Sequence, residues 1–388
     1  MKILLVSSGS GSRGGGEIFL EYLGLGLRER GHEVFMWIPE HSRMDELANR
    51  CSAFARVMRS PYRSTYDHPL RSLGTSVNWE VSRRVANEWL SVRPDVVHVN
   101  KQNLEDGLDL LRAARMCGLP TVCTIHLTQT ARYLRAKAAW LRDLVARREL
   151  RLYQGVMVAV QRQREDMLRR FLGDRARTET IFNGVPPAKG AASSDVRKAT
   201  RKELGVADTE ILIMGLGRLV KQKRPLQFLG IARELHARIP HTRFLWVGDG
   251  DLAPQWRETI EREKLGAFVA SAGWQADALP YLLASDLLLH VAEFEGLPFA
   301  VLEAMAAGLP CALTRELMQE IPLFDKSVVL GADDLDDLTD KLKDPVALRN
   351  LSERSRHLVA TELSLAKMTE SYERLYVHEA RSAGRRIA

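Results

Sequence analysis

The feature that most constrains this chain is an alternation of short apolar runs with amphipathic segments, played through twice. Residues 2–6 (KILLV) read as a buried strand, followed by SSGSGSRGGG and the amphipathic EIFLEYLGLGLRER, which ends at Gly31. HEVFMWI is a second strand, PDVVHVN (94–100) a third, LEDGLDLLRAARMCG a helix and LPTVCTIH a strand again. Beyond a long basic stretch, GVMVAV (155–160) and TETIFNG (178–184) add two more strands. Strand, glycine loop, helix, strand opens a parallel α/β sheet. PPAKGAASSD (186–195) then reads as an exposed connection. Behind it the alternation restarts with TEILIMGLGRL, RPLQFLGIARELHARI and TRFLWVGDGD, and runs on through AFVASAGW, YLLASDLLLHVA, LEAMAAGLP and CALT. The pattern predicts an α/β chain of two Rossmann-like domains, 1–190 and 191–362, with helices over 363–388 returning to the first. Ligands of such sheets bind outside the carboxyl ends of the strands, so the expected pocket lies in a cleft between the halves.

Composition narrows the function classes. A chain of 388 residues, at roughly 150 per domain, suggests two or three domains. With 45% hydrophobic and 27% charged residues it is neither disordered nor fibrous. Four cysteines (Cys51, Cys117, Cys123, Cys311) include no Cys-x-x-Cys pair, which argues against a zinc site or a disulfide scaffold and for a reduced, cytoplasmic setting. The apolar run after Lys2 is too short for a signal-peptide core, and no run approaches the ~18 residues of a membrane span. The net charge of +7 favours an anionic partner.

Several loops carry residues suited to phosphate or sugar. Gly9-Ser10-Gly11-Ser12-Arg13-Gly14 matches the dinucleotide pattern G-x-G-x-x-G, in which bare backbone N–H groups approach a phosphate. The acidic ribose partner expected at the end of the second strand is missing, since Glu40 comes several positions late. No GK[ST] follows, which excludes a P-loop. In the second half, Arg218 and Lys223 follow Gly217 at a strand end, where two cations suit a pyrophosphate. Asp249 and Asp251 read as turn residues after the strand ending in Val247, rather than as metal ligands. Within EFEGLPFAVLEAMAAGLP (293–310), Gly296 and Pro298 open a helix near Phe299, whose amides suit a phosphate. Glu295 precedes that helix and Glu303 lies one turn inside it, placed for hydrogen bonds to sugar hydroxyls. A glutamate embedded in AVLEAMA calls for a partner or a role.

Taken together these segments resemble the retaining, nucleotide-sugar-dependent glycosyltransferases of family 4, which have the GT-B fold. The resemblance runs over nearly the whole chain: GGGE (14–17), LRERGHEV (27–34), PDVVHVN, TIH (124–126), FNGV (182–185), GRLVKQK (217–223), VGDG (247–250) and EGLPFAVLEAMAAGLP (295–310). It implies that Arg218 and Lys223 lie against the donor diphosphate, that Glu295 touches the transferred sugar and that Glu303 binds the ribose. Gly296, Leu297, Pro298, Phe299 and Ala300 would hold phosphate and sugar, with Gly217, Gly248 and Trp274 also on the donor side. Gly15 and Gly16 would close on the donor, and His126 would stand by sugar and acceptor, although a core histidine at a strand end is an alternative for it. Asn100, Arg59 and Arg63 fall on the acceptor side. The chain departs from the family at Val291-Ala292 (usually proline-serine), at Arg224 (usually glycine) and at Asn100 (usually the second histidine of HxH). The resemblance further implies a hexosyl-type transfer with no cofactor and no metal, from a UDP-sugar rather than a GDP-sugar, in bacterial cell-surface glycan or glycolipid synthesis.

Two other classes compete. A nicotinamide-dependent oxidoreductase would use the first glycine loop but lacks its acidic partner. A nucleic-acid-binding protein would rest on charge alone, and cations and acids are interspersed along most of the chain, so no nucleic-acid partner is expected. The expected partners are instead a nucleotide-sugar and a saccharide or lipid-linked acceptor. ARYLRAKAAWLRDLVARRELR (131–151) adds a further expectation. Its seven cations and its apolar Leu134, Ala138, Leu141 and Val145 predict one basic amphipathic helix, packed on the sheet or resting on an anionic membrane at the cytoplasmic face. Arg56, Arg59, Arg63 and Arg71 form a second basic cluster in the same half.

Overall fold

The computed structural model describes residues 1–173, 176–188 and 194–384. The connection expected at 186–195, and the domain boundary placed within it, lie partly outside the described residues. The chain divides into two compact units, Met1–Gly184 with Leu365–Ala388, and Val185–Ser364.

Unit 1 is built on seven parallel strands: β1 (Lys2–Ser7), β2 (Glu33–Pro39), β3 (Arg56–Ser60), β4 (Val96–Asn103), β5 (Thr121–Leu127), β6 (Val156–Ala159) and β7 (Thr178–Thr180). Their order is β3-β2-β1-β4-β5-β6-β7, so the winding reverses between β1 and β4. Register there sets Ser7 beside Asn100 and Asn100 beside Thr124, which brings the ends of β1, β4 and β5 level. Ile3, Leu4, Leu5 and Val6 are fully buried, as a strand covered on both faces requires. Helix Gly15–Glu29 follows β1 directly.

Three stretches depart from the sequence reading. β3 and the helices Asp45–Cys51, Ser72–Ser76 and Trp79–Val92 fill the region between β2 and β4. The edge strand RVMRS is mostly half-buried and has no apolar run to announce it. The helix expected from Leu104 starts at Leu108, because Gly107 is left-handed and the Asn103 side chain accepts from the Glu105 and Asp106 amides, closing a turn first. The basic helix expected over 131–151 is also shorter. It runs Ala139–Leu152, and Arg135 (φ 51°) and Ala138 (φ 52°) are left-handed, which no helix interior tolerates.

The last helix, Leu365–Ser382, packs on helix Gly15–Glu29 in unit 1. A Cβ on Gly26 would stand 2.2 Å from Thr369 Oγ1, so this close crossing needs glycine. Tyr372 bonds Thr124 at 2.8 Å, and His98 lies between Thr124 and the Tyr376 hydroxyl. Glu373 accepts from Arg30 Nε at 2.7 Å and pairs with His32.

Unit 2 repeats the scheme with β8 (Ile211–Leu216), β9 (Thr242–Val247), β10 (Val269–Gly273), β11 (Leu287–His290), β12 (Cys311–Leu313) and β13 (Leu330–Gly331). All pair in parallel in the order β10-β9-β8-β11-β12-β13, with the reversal between β8 and β11. Helices Pro225–Arg238 and Phe299–Ala306 follow β8 and β11 respectively. Among the described residues no helix is long and apolar enough to cross a membrane.

Candidate active site

In each unit most of the predicted site residues lie at or just past the carboxyl ends of strands at or beside the reversal, where open α/β sheets hold ligands. In unit 2 the loop after β8 and the loop after β9 are in backbone contact. Gly217 N–H donates to Val247 O at 3.0 Å and Leu219 N–H to Asp249 O at 3.0 Å. Gly248 has φ 134°, and a Cβ there would stand 2.0 Å from Gly217 O. Gly217 (φ 145°) and Gly248 are thus glycines for conformation and for close approach. Asp249 Oδ1 accepts its neighbour Gly250 N–H at 2.8 Å, a turn geometry, and both Asp249 and Asp251 are exposed. Among the described residues no group of three or more His, Cys, Asp or Glu could hold a metal ion.

The same β8 loop is tied to the segment after β11. Gln222 Nε2 donates to Phe294 O at 2.9 Å, and Glu293 N–H donates to Gln222 O at 2.8 Å. Lys223 donates its ammonium to Glu295 Oε1, which also lies 3.3 Å from His290 Nε2. Glu295 is 7% exposed. Burial works against its carboxylate, but Lys223 and the His290 hydrogen bond outweigh that and hold the carboxyl down at about 2. Burial keeps His290 neutral, with its pKa lowered in spite of the carboxylate beside it. Arg218, by contrast, is exposed and makes no side-chain hydrogen bond or ion pair among the described residues. Helix Phe299–Ala306 begins after Pro298, whose ring makes no side-chain cap, and the positive end of its dipole suits a phosphate. Gly296, Leu297, Pro298 and Phe299 are buried around that end, with Ala300 and Glu303 half-buried on the helix. Trp274, half-buried, follows β10. Arg224, where relatives in the sequence resemblance carry glycine, sits at φ 47°, ψ 49°, which explains the usual residue.

In unit 1 three predicted residues form a chain of hydrogen bonds. Asn100 Nδ2 donates to Gly16 O at 2.9 Å, and Asn100 Oδ1 meets His126 Nε2 at 2.7 Å. The first bond fixes the amide, so Oδ1 must accept, the proton of His126 is on Nε2, and Nδ1 is the acceptor. Burial pushes the His126 pKa down to about 3, so the imidazole is neutral at physiological pH. His98, the other member of the HxH pattern, is equally depressed and packs against Tyr372 at 5.1 Å between ring centres.

The glycine loop carries a residue that pattern matching passes over. The Glu17 carboxylate is buried against the loop, at 2.4 Å from where Cβ atoms of Gly9 and Gly14 would stand. Gln102 Nε2 donates to it at 2.9 Å and covers Gly16, next to Gly15 at the helix start. The loop is thus filled by its own acidic side chain at Gly9 and Gly14, where the dinucleotide pattern needs bare backbone open to a phosphate. The GGGE string contains Glu17, but only the fold turns it inward. Arg59 and Arg63 do not join this group. Arg59 bonds Pro39 O at 3.1 Å and pairs with Asp45 at 2.9 Å, while Arg63 Nε bonds Asp67 O at 2.8 Å, so both brace the loop that surrounds them.

Comparison with known proteins agrees with this architecture. Residues 13–189 match the sequence model of Glycosyltransferase Family 4, and residues 210–345 that of Glycosyl transferases group 1. The chain is 25% identical over 299 residues to the UDP-Gal:alpha-D-GlcNAc-diphosphoundecaprenol alpha-1,3-galactosyltransferase of Escherichia coli, covering 73% of this chain and 75% of that protein. It is 23% identical over 298 residues to the alpha-monoglucosyldiacylglycerol synthase of Acholeplasma laidlawii, covering 74% and 73%. The fold superposes on Anabaena HepE in complex with UDP-glucose with a TM-score of 0.77 at 18% identity, over 97% of this chain and 100% of that one. The two Rossmann-like units and these matches define a glycosyltransferase of the GT-B fold. The chain belongs to the family 4 type of these enzymes, which make glycans and glycolipids.

Proposed function

We propose that the chain transfers a hexosyl group from a UDP-sugar to a hydroxyl of a saccharide or lipid-linked acceptor, with retention of configuration and without a metal. The observation that carries this reading is the Lys223–Glu295–His290 cluster, just ahead of the start of helix Phe299–Ala306. The relatives support the substrate class: one is described as taking UDP-Gal and a diphosphoundecaprenol acceptor, and HepE is seen with UDP-glucose.

The chemistry follows from these groups. The bond from the sugar's anomeric carbon to the diphosphate breaks with its electron pair moving to the leaving phosphate oxygen. Arg218, Lys223 and the helix amides neutralise that growing charge, the task a divalent ion performs in other transferases. Glu295, kept ionised, accepts hydrogen bonds from the sugar hydroxyls, and Glu303 does so from the ribose. The acceptor oxygen bonds to the anomeric carbon on the face that the diphosphate leaves, and its proton passes to a diphosphate oxygen. His126, with a pKa of about 3, is too weak a base to take that proton, and serves as a hydrogen-bond acceptor through Nδ1.

A thermal-shift screen of UDP, GDP and ADP and their sugars tests the donor, since a ligand raises stability by mass action. UDP compounds should stabilise most, with transfer undiminished by EDTA. NMR of the fresh product should show the donor's anomeric configuration. Inversion, or a strict requirement for manganese, would remove the corresponding part of the reading.

A further inference from the structure

We propose that unit 1 docks on an anionic lipid bilayer through a patch assembled from residues 70–79 and 132–152. This deepens the reading of a lipid-linked acceptor by naming the surface on which the enzyme meets it, and it rests on that reading only for its purpose.

The patch exists because the expected basic helix is broken. Left-handed Arg135 and Ala138 turn residues 131–138 into a knuckle that holds Tyr133 and Leu134 outward. On the helix that follows, Ala146, Glu149 and Leu150 face inward, leaving Trp140 and Leu144 on the exposed side. Trp140 is 60% exposed, an unusual placement for the largest apolar side chain. The second stretch contributes Leu70, Trp79 and Val77, the last 73% exposed. Two joints hold the stretches together. Glu105 accepts from Ser72 Oγ at 2.9 Å and from Arg142 Nε at 2.7 Å. Trp79 covers Arg112 at 4.5 Å, and Arg112 in turn pairs with Glu149 at 3.4 Å.

Charge selects the occupant. Arg132, Arg135, Lys137, Arg148 and Arg151 are all exposed. The two acids of the same stretch are turned inward. Asp143 accepts the Ala131 and Arg132 amides at 2.7 and 3.2 Å, and buried Glu149 lies among Arg112, Arg115 and Arg148. Glu80, just past the second stretch, is the nearest exposed acid along the chain. A second copy of this chain would bring five like charges against five. Acidic headgroups complement them, and tryptophan and tyrosine settle at the boundary between headgroup and acyl chain.

Flotation of the full chain with phosphatidylcholine vesicles, with and without phosphatidylglycerol, tests the proposal without any sugar donor. Loss of transferase activity therefore leaves the result intact, and the converse holds. Binding should require phosphatidylglycerol and weaken with salt. Each cation near an anionic surface contributes about fivefold, so Arg132→Gln, Arg135→Gln and Lys137→Gln combined should lower partitioning by about 100-fold. Trp140→Ser with Trp79→Ser should also lower it while UDP still raises the melting temperature, showing the fold intact. Absent or equal binding to the two vesicles, unchanged partitioning of the arginine and lysine variant, or a dimer that these substitutions dissolve would each overturn the assignment.

Discussion

Replacing Glu295 by Gln tests the centre of the site, because it keeps the shape and removes one charge. The carboxyl is held at about 2 against an ordinary 4.5. At about 1.4 kcal/mol per pH unit, that gap is worth about 3 kcal/mol of folded-state stability. The sign follows from the direction: a depressed acid contributes fully above pH 4.5 and loses its contribution as pH falls towards 2. Glu295→Gln should therefore cost about 3 kcal/mol near neutrality, a fall of roughly 6–12 °C in the melting temperature of a domain this size. The gap between wild type and variant should narrow steadily below pH 4.5. Function should move differently. Lys223, released from its partner, remains available to a diphosphate, so UDP should bind as tightly or tighter while turnover falls by about 100-fold or more. Urea melts between pH 3 and 7, with UDP titrations by calorimetry, measure both quantities. A stability difference that is below 0.5 kcal/mol, or that does not change with pH, would show that the Lys223–Glu295 pair is not what depresses the acid.

Three further outcomes follow from other parts of the molecule. Arg218→Ala should lower turnover by about 100-fold with stability unchanged within ~0.5 kcal/mol, because the side chain is exposed and unpaired among the described residues, and steady-state kinetics with urea melts check both. Gly248→Ala should destabilise unit 2 by about 3 kcal/mol, since a Cβ would stand 2.0 Å from the Gly217 carbonyl on a φ of 134°, and a near-normal melt would contradict that contact. His98 and His126, depressed to about 3 by burial, contribute stability that is complete above pH 6.5 and drains as pH falls towards 3. His126→Gln should accordingly flatten the acid limb of the stability profile of unit 1 by about 2 kcal/mol at pH 5, which denaturant melts across pH can read.

How much of this was legible in the sequence depends on the range of each signal. The parallel α/β order was readable because strand runs such as KILLV and the loops after them are local patterns of a few residues. The family followed from EGLPFAVLEAMAAGLP and its companion segments, again contiguous strings. The start of a helix at Phe299 was readable from Gly296 and Pro298. The edge strand Arg56–Ser60 was not, because a half-exposed edge needs no apolar run. Nor was the break at Arg135 and Ala138, since residues 131–151 carry a helical period that says nothing of where the backbone must turn.

Read along the chain, the residues alone settle the two halves, the placing of glycines where backbone must bend or approach backbone, and the ends of most strands. Tertiary structure decided what those residues do to one another. Lys223 meets Glu295 across 72 positions, Asn100 joins Gly16 to His126, and Glu17 turns into its own glycine loop. It also committed Arg59 and Arg63 to bracing a loop while leaving Arg218 exposed. Periodicity and turn chemistry act over a few residues and can be read in order. The ionisation and pairing of a buried side chain depend on which strands the winding of the sheet brings side by side, and that is settled only when the chain packs.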